Sequence, residues 1–106
     1  MATVSSPIGL QLRWEHQRGV LHVRGELDLS SGAALHDGLR ALLDAEPHAT
    51  VDLAEVTFAD LRGLDPLLEA MTTQPALRVR NVPRSVTRLA GVLPRLADVL
   101  GRPAAA

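Results

Sequence analysis

Leu10, Leu12 and Trp14 alternate with Gln11, Arg13 and Glu15, a period of two that predicts a half-buried strand. Gln17-Arg18-Gly19 is a turn signal, and a second alternating run follows it. There Leu21, Val23 and Leu27 share one face, while His22, Arg24 and Glu26 share the other. The short connection makes the pair a hairpin. Asp28-Leu29-Ser30-Ser31 then offers cap residues for a helix carrying Leu35, Leu39, Leu42 and Leu43, which Pro47 closes. Ala49, Val51 and Leu53 alternate with Thr50 and Asp52 and predict a third strand over 49–53. Asp65 as N-cap, with Pro66 at the first helical position, predicts a second helix running to about Met71. Leu77 and Val79 alternate with Arg78 and Arg80 as a fourth strand. The turn Asn81 to Ser85 starts a third helix with Val86, Leu89, Ala90 and Leu93. Pro94 interrupts it before a last helical turn with Leu96, Val99 and Leu100.

The order is β-β-α-β-α-β-α. Strands separated by helices imply parallel crossovers. Parallel strands covered on both faces would read as continuous apolar runs, but these alternate. The pattern therefore predicts an α/β fold with a mixed sheet and helices packed on one face only. The other face is polar, solvated or open to a partner, and leaves room for a homodimer contact. Neither a repeat nor a linker interrupts 10–100, so one domain is expected there. Residues 1–9 read as an N-terminal extension and 101–106 as a frayed tail.

Composition narrows the chemistry. Apolar residues make up 46% of 106, enough for a core without staples, and cysteine is absent. That excludes a disulfide framework, cysteine-ligated zinc and thiol catalysis. All 11 basic residues are Arg, which excludes Schiff-base and P-loop lysines. They are balanced by 12 acidic residues, so the basic surplus of a duplex-binding protein is missing. Trp14 and Phe58 are the only aromatics, too few to stack single-stranded bases. Residues 1–8 lack a basic and apolar leader pattern, and no apolar run is long enough to span a membrane, so a cytoplasmic chain is expected.

Four pieces of sequence, in order, resemble the STAS family of bacterial anti-sigma factor antagonists. They are Gly25-Glu26-Leu27-Asp28, the stretch from Val51 to Asp60, Gly63-Leu64, and Leu77 to Pro83. Together they cover roughly residues 10–100. The resemblance implies a STAS-like single domain with a four- to five-stranded mixed sheet. It also implies a non-enzymatic module that binds a serine-kinase-like anti-sigma factor. The family pattern after the aspartate is Ser, then Ser or Thr, then Gly-Leu, and the first Ser takes the phosphate. Here Asp60, Gly63 and Leu64 match, but Leu61 stands at the phosphoacceptor position and Arg62 follows it. An alkyl side chain accepts no phosphoryl group, so no phosphorylation is expected at that position.

The expected partner-binding residues are Asp28, Asp60, Leu61, Arg62, Gly63 and Leu64. Leu61 supplies an apolar anchor and Arg62 a charged donor, both types enriched at interfaces. The plainer reading packs Leu61 under the sheet edge and leaves Arg62 in water, or pairs Arg62 with Asp60 or Asp28. Asp28 also reads simply as a helix cap. Thr57 and Ser85 are the hydroxyls to which a displaced phosphoswitch would move. His16, His22, His36 and His48 show no ligand spacing, so no metal site is expected and surface positions are. The glycines form no nucleotide loop, so no cofactor is expected. A second reading is a STAS-type scaffold subunit of a membrane transporter or other regulatory assembly. A third, weaker one is a small anion-handling enzyme using Asp28, Asp60 and Arg62.

Overall fold

The computed structural model describes residues 3–5 and 9–89. Five strands form one sheet in the order β1-β2-β3-β4-β5: Thr3–Ser5, Leu10–Glu15, Val20–Leu27, Thr50–Ala59 and Arg78–Arg80. The first three are antiparallel neighbours, and β4 and β5 join parallel to β3. Three helices accompany them: α1 (Gly32–Ala45), α2 (Leu61–Thr73) and the short α3 (Arg84–Thr87). The mixed sheet expected from alternation is present, and Thr3–Ser5 adds its fifth strand, pairing Thr3 with Arg13. The expected helical positions from Ala90 to Leu100 lie outside the described residues.

The hairpin is built as the pattern predicts. A one-turn helix at His16–Arg18 reverses the chain, and Gly19 closes it in the left-handed region at φ 63°, which glycine adopts without steric cost. Leu12 then faces Val23, and Trp14 faces Leu21. Leu21, Val23 and Leu27 turn into the core with Val51, Leu53 and Val56 of β4. Against that face α1 sets Leu35, Leu39 and Leu42, spaced at i, i+4 and i+7. Leu64, Leu67, Leu68 and Met71 do the same from α2. Each such leucine stabilises the fold by about 1.5–3 kcal/mol relative to an exposed one. Trp14 is half-buried at the edge of this core, edge-on to the His16 ring at 5.3 Å.

Two expectations need correction. The third strand does not stop at Leu53 but continues to Ala59. Its pairing with β3 slips twice, between His22 and Arg24 and between Gly25 and Glu26. Each slip is a bulge that resets the alternation, so the period-two pattern breaks while the strand goes on. Side chains of β4 satisfy the backbone at both places. The Asp52 carboxylate accepts from the Ala54 amide at 2.9 Å, and the Thr57 hydroxyl donates to the Gly25 carbonyl at 3.3 Å. The second helix is not capped by Asp65. Asp60 is its N-cap, the helix begins at Leu61, and Pro66 lies inside it. Asp60 supplies the acceptor that starts the helix a turn earlier, and Pro66 forfeits only one backbone bond in an already nucleated helix.

Candidate functional site

In open α/β sheets, ligands and partners meet the carboxyl ends of the parallel strands. Here β3 ends at Leu27 and β4 ends beside it at Ala59. The chain leaves β3 through Asp28, whose carboxylate accepts from the Ser31 amide at 3.0 Å and the Ser30 hydroxyl at 2.6 Å. The Ser31 hydroxyl answers by accepting from the Asp28 amide at 2.9 Å, a reciprocal capping box. The Ser30 hydroxyl, above all, holds the Asp28 carboxyl below the ordinary carboxylate range. Asp28 is therefore a cap, as its plainer reading held.

Asp60 plays the same part at the end of β4. Its carboxylate accepts from the Gly63 amide at 2.8 Å, and its own amide donates to the Leu27 carbonyl at 3.0 Å. That last bond stitches the start of α2 to the end of β3 and brings both aspartates to one edge. Gly63 and Leu64 are buried beneath this turn, where they fix its shape. Leu61 and Arg62 are exposed on it. The pairing of Arg62 with Asp28 or Asp60 is not formed, because both carboxylates face backbone amides. Arg62 makes no salt bridge among the described residues. From behind, Ser85 donates to the Val56 carbonyl at 3.0 Å, and Arg88 donates to the Ala59 carbonyl at 3.1 Å, bracing the last residues of β4.

Two further apolar residues belong to this rim and escaped the sequence reading. Among the described residues, the large apolar side chains left exposed are Leu29 (68%), Phe58 (43%) and Leu61 (40%). All three flank the carboxyl ends of β3 and β4. Phe58 sits opposite Glu26, one residue past the second bulge, which turns it away from the core. Leu29 stands between capping residues that would draw attention to themselves. The only usable signal was a bulky apolar residue inside a polar capping stretch.

The histidines divide. His16, His36 and His48 are exposed, whereas His22 is half-buried and hydrogen-bonded to Glu15 at 2.8 Å. No group of three metal-ligating side chains converges among the described residues. No helix among them is long and apolar enough to cross a membrane. A family model described as "Mlab, STAS domain" matches residues 10–98. Curated proteins offer no match by sequence. Among solved structures, an anti-sigma factor antagonist from Mycobacterium paratuberculosis shares the fold at a TM-score of 0.62 and 24% identity. That alignment covers 91% of this chain and 98% of that one. With the sheet order, the Asp60–Leu64 turn and the family match in agreement, the chain belongs to the STAS domain family.

Proposed function

We propose that this chain is a binding module that captures a kinase-like anti-sigma factor, or a related regulatory protein, on the rim of Leu29, Phe58, Leu61 and Arg62. Phosphorylation at position 61 has no part in it. The observation that carries this reading is the exposure of three large apolar side chains at the carboxyl ends of the parallel strands. Large apolar side chains left exposed at one end of a sheet favour a protein contact, and aromatic, aliphatic and Arg side chains are enriched in such contacts. The shared fold with a protein described as an anti-sigma factor antagonist supports the choice of partner. The engagement of Asp28 and Asp60 as helix caps favours binding over acid–base chemistry on an anion. In this reading the module works in the cytoplasm and touches neither nucleic acid nor membrane directly.

Purification of the tagged chain from its source cells, with mass spectrometry of what accompanies it, should identify a kinase-like anti-sigma factor. Leu29→Asp or Leu61→Asp should then weaken binding to that protein by at least about tenfold, as for a central interface residue. An affinity indifferent to both substitutions removes the rim from the contact. Incubation with the partner and ATP should leave the chain's mass unchanged. A phosphate gained on Thr57 or Ser85 would show a displaced switch. Leu61→Ser alone should not restore control, because Arg62 keeps positive charge at the helix start, where the dipole already disfavours it. Recovery of a transporter ATPase in place of the anti-sigma factor moves the module to the scaffold reading.

A further inference from the structure

The start of α2 carries a charge pattern that its part in the fold does not use. Leu61, Arg62 and Asp65 are exposed on the outward side of the helix, while Leu64, Leu67 and Leu68 take the buried side. Arg62 and Asp65 stand three positions apart, a spacing at which opposite charges on a helix can pair. Neither forms a salt bridge among the described residues. One cation and one anion are therefore left uncommitted beside an exposed leucine. Leu29 flanks the same ground. Its turn leads into α1 at Gly32, where an added Cβ would stand 3.9 Å from Pro66 Cγ, so the start of α1 lies against α2 just past Asp65.

We infer that this surface binds a second copy of the chain across a two-fold axis beside Leu61, with Arg62 of each copy meeting Asp65 of the other. In a two-fold contact the same patch serves both sides, so any pair made in one direction is made again in the other. A patch holding one cation and one anion is then complementary to itself. Two crossed ion pairs form, and the Leu29 and Leu61 side chains of both copies close over the axis. A patch with Arg62 alone would repel its own copy, so the acid three positions on is what makes self-recognition possible. Three large apolar side chains, each partly exposed, fall short of the roughly 800 Å² per partner that stable complexes bury, so the dimer is weak and forms as concentration rises. The contact does not rest on the anti-sigma reading, since it needs no other protein. It does compete with capture of a regulatory partner, because a chain paired with its own copy hides Leu61.

Sedimentation equilibrium of the full chain, from about 10 μM to about 1 mM, tests this. The mass should climb from that of the 11.3 kDa chain toward twice that value. Arg62→Asp and Asp65→Arg should each weaken self-association by at least about tenfold, because each sets like charges against one another on both sides of the axis. Combining the two exchanges the charges and rebuilds both crossed pairs, so the double variant should return to within about threefold of the natural chain. Both side chains are exposed, and unchanged melting temperatures should show that all three variants fold. A chain that stays monomeric at the highest concentration overturns the inference and leaves the capture of a regulatory protein standing. Association indifferent to the single variants places the contact elsewhere, the outer face of the sheet included, and overturns it. A double variant no better than the singles removes the crossed pairs and overturns it as well.

Discussion

Gly63→Ala should lower the melting temperature by roughly 10–20 °C, corresponding to a loss of about 2–3 kcal/mol. The substitution looks harmless in isolation, since alanine is favoured over glycine inside a helix by about 1 kcal/mol. Here the methyl group would stand 2.1 Å from both the carbon and the oxygen of the Leu27 carbonyl and 2.4 Å from the Asp28 amide nitrogen. These are backbone atoms, so no rotamer change relieves the overlap. Either α2 lifts from the end of β3, or Leu27 and Asp28 move. Both routes strain the Asp60 amide bond to Leu27 and the Asp28 cap, and both displace Leu61. Gly32→Ala is the control. Its methyl would meet only Pro66 Cγ at 3.9 Å, and its backbone is already helical at φ −57°. That variant should hold or slightly raise the melting temperature. Equal melting of the two variants would mean that the helix start does not need its close approach to β3. Against the identified partner, Gly63→Ala should also weaken binding by at least about tenfold, because the rim residues shift together.

The same turn shows what the sequence disclosed and what it hid. Helices α1 and the hairpin were legible because their burial follows a single period from end to end. Leu35, Leu39 and Leu42 on one stripe, and Leu21 and Val23 on one face, leave little choice of structure. The full length of β4 was not legible, because two bulges change which side faces the core midway through the strand. Once Ala54 and Thr57 are counted as inserted residues, Leu53, Val56 and Ala59 fall on one side and Phe58 on the other. The start of α2 was misplaced because Asp65-Pro66 has the local chemistry of a helix start. Only the contact of Gly63 with Leu27, which is distant in sequence, shows that Asp60 takes that role. Leu61 could be read from the missing hydroxyl, whereas the exposure of Leu29 depends on where the capping box places it. The aspartates were recognised by family pattern, but their hydrogen bonds turn them into scaffolding for the apolar rim.

Asp52→Ala should cost about 3 kcal/mol at neutral pH, the scale of removing one partner from a buried charge cluster. Asp52 is the buried charged residue of the described chain, at 6% exposure. One carboxylate oxygen accepts from the Ala54 amide left over by the first bulge, and the other from Arg80 Nε and Asn81 Nδ2, each at 2.9 Å. Its removal unfastens three things together: the bulge, the three-residue β5, and Asn81, which holds the left-handed region at φ 54°. Asp52→Asn keeps the shape and one acceptor oxygen, and should cost less, about 1–2 kcal/mol. The pH dependence separates charge from shape. Burial pushes the Asp52 carboxyl up, but the Ala54 amide, Arg80 and Asn81 together bring it below its ordinary value of 3.8. A depressed carboxyl stabilises the fold fully above its unfolded value, and the contribution is lost as the pH falls through the folded one. The stability gap between the natural chain and Asp52→Asn should thus be flat from neutral pH down to about 5 and narrow below about 4. Denaturant unfolding at matched pH values measures it. A gap that stays constant into acid would mean that Asp52 acts through packing alone. Loss of β5 should also appear as faster amide exchange at Val79 and Arg80 before the rest of the sheet opens, since a three-residue edge strand paired with β4 alone has the least else to secure it.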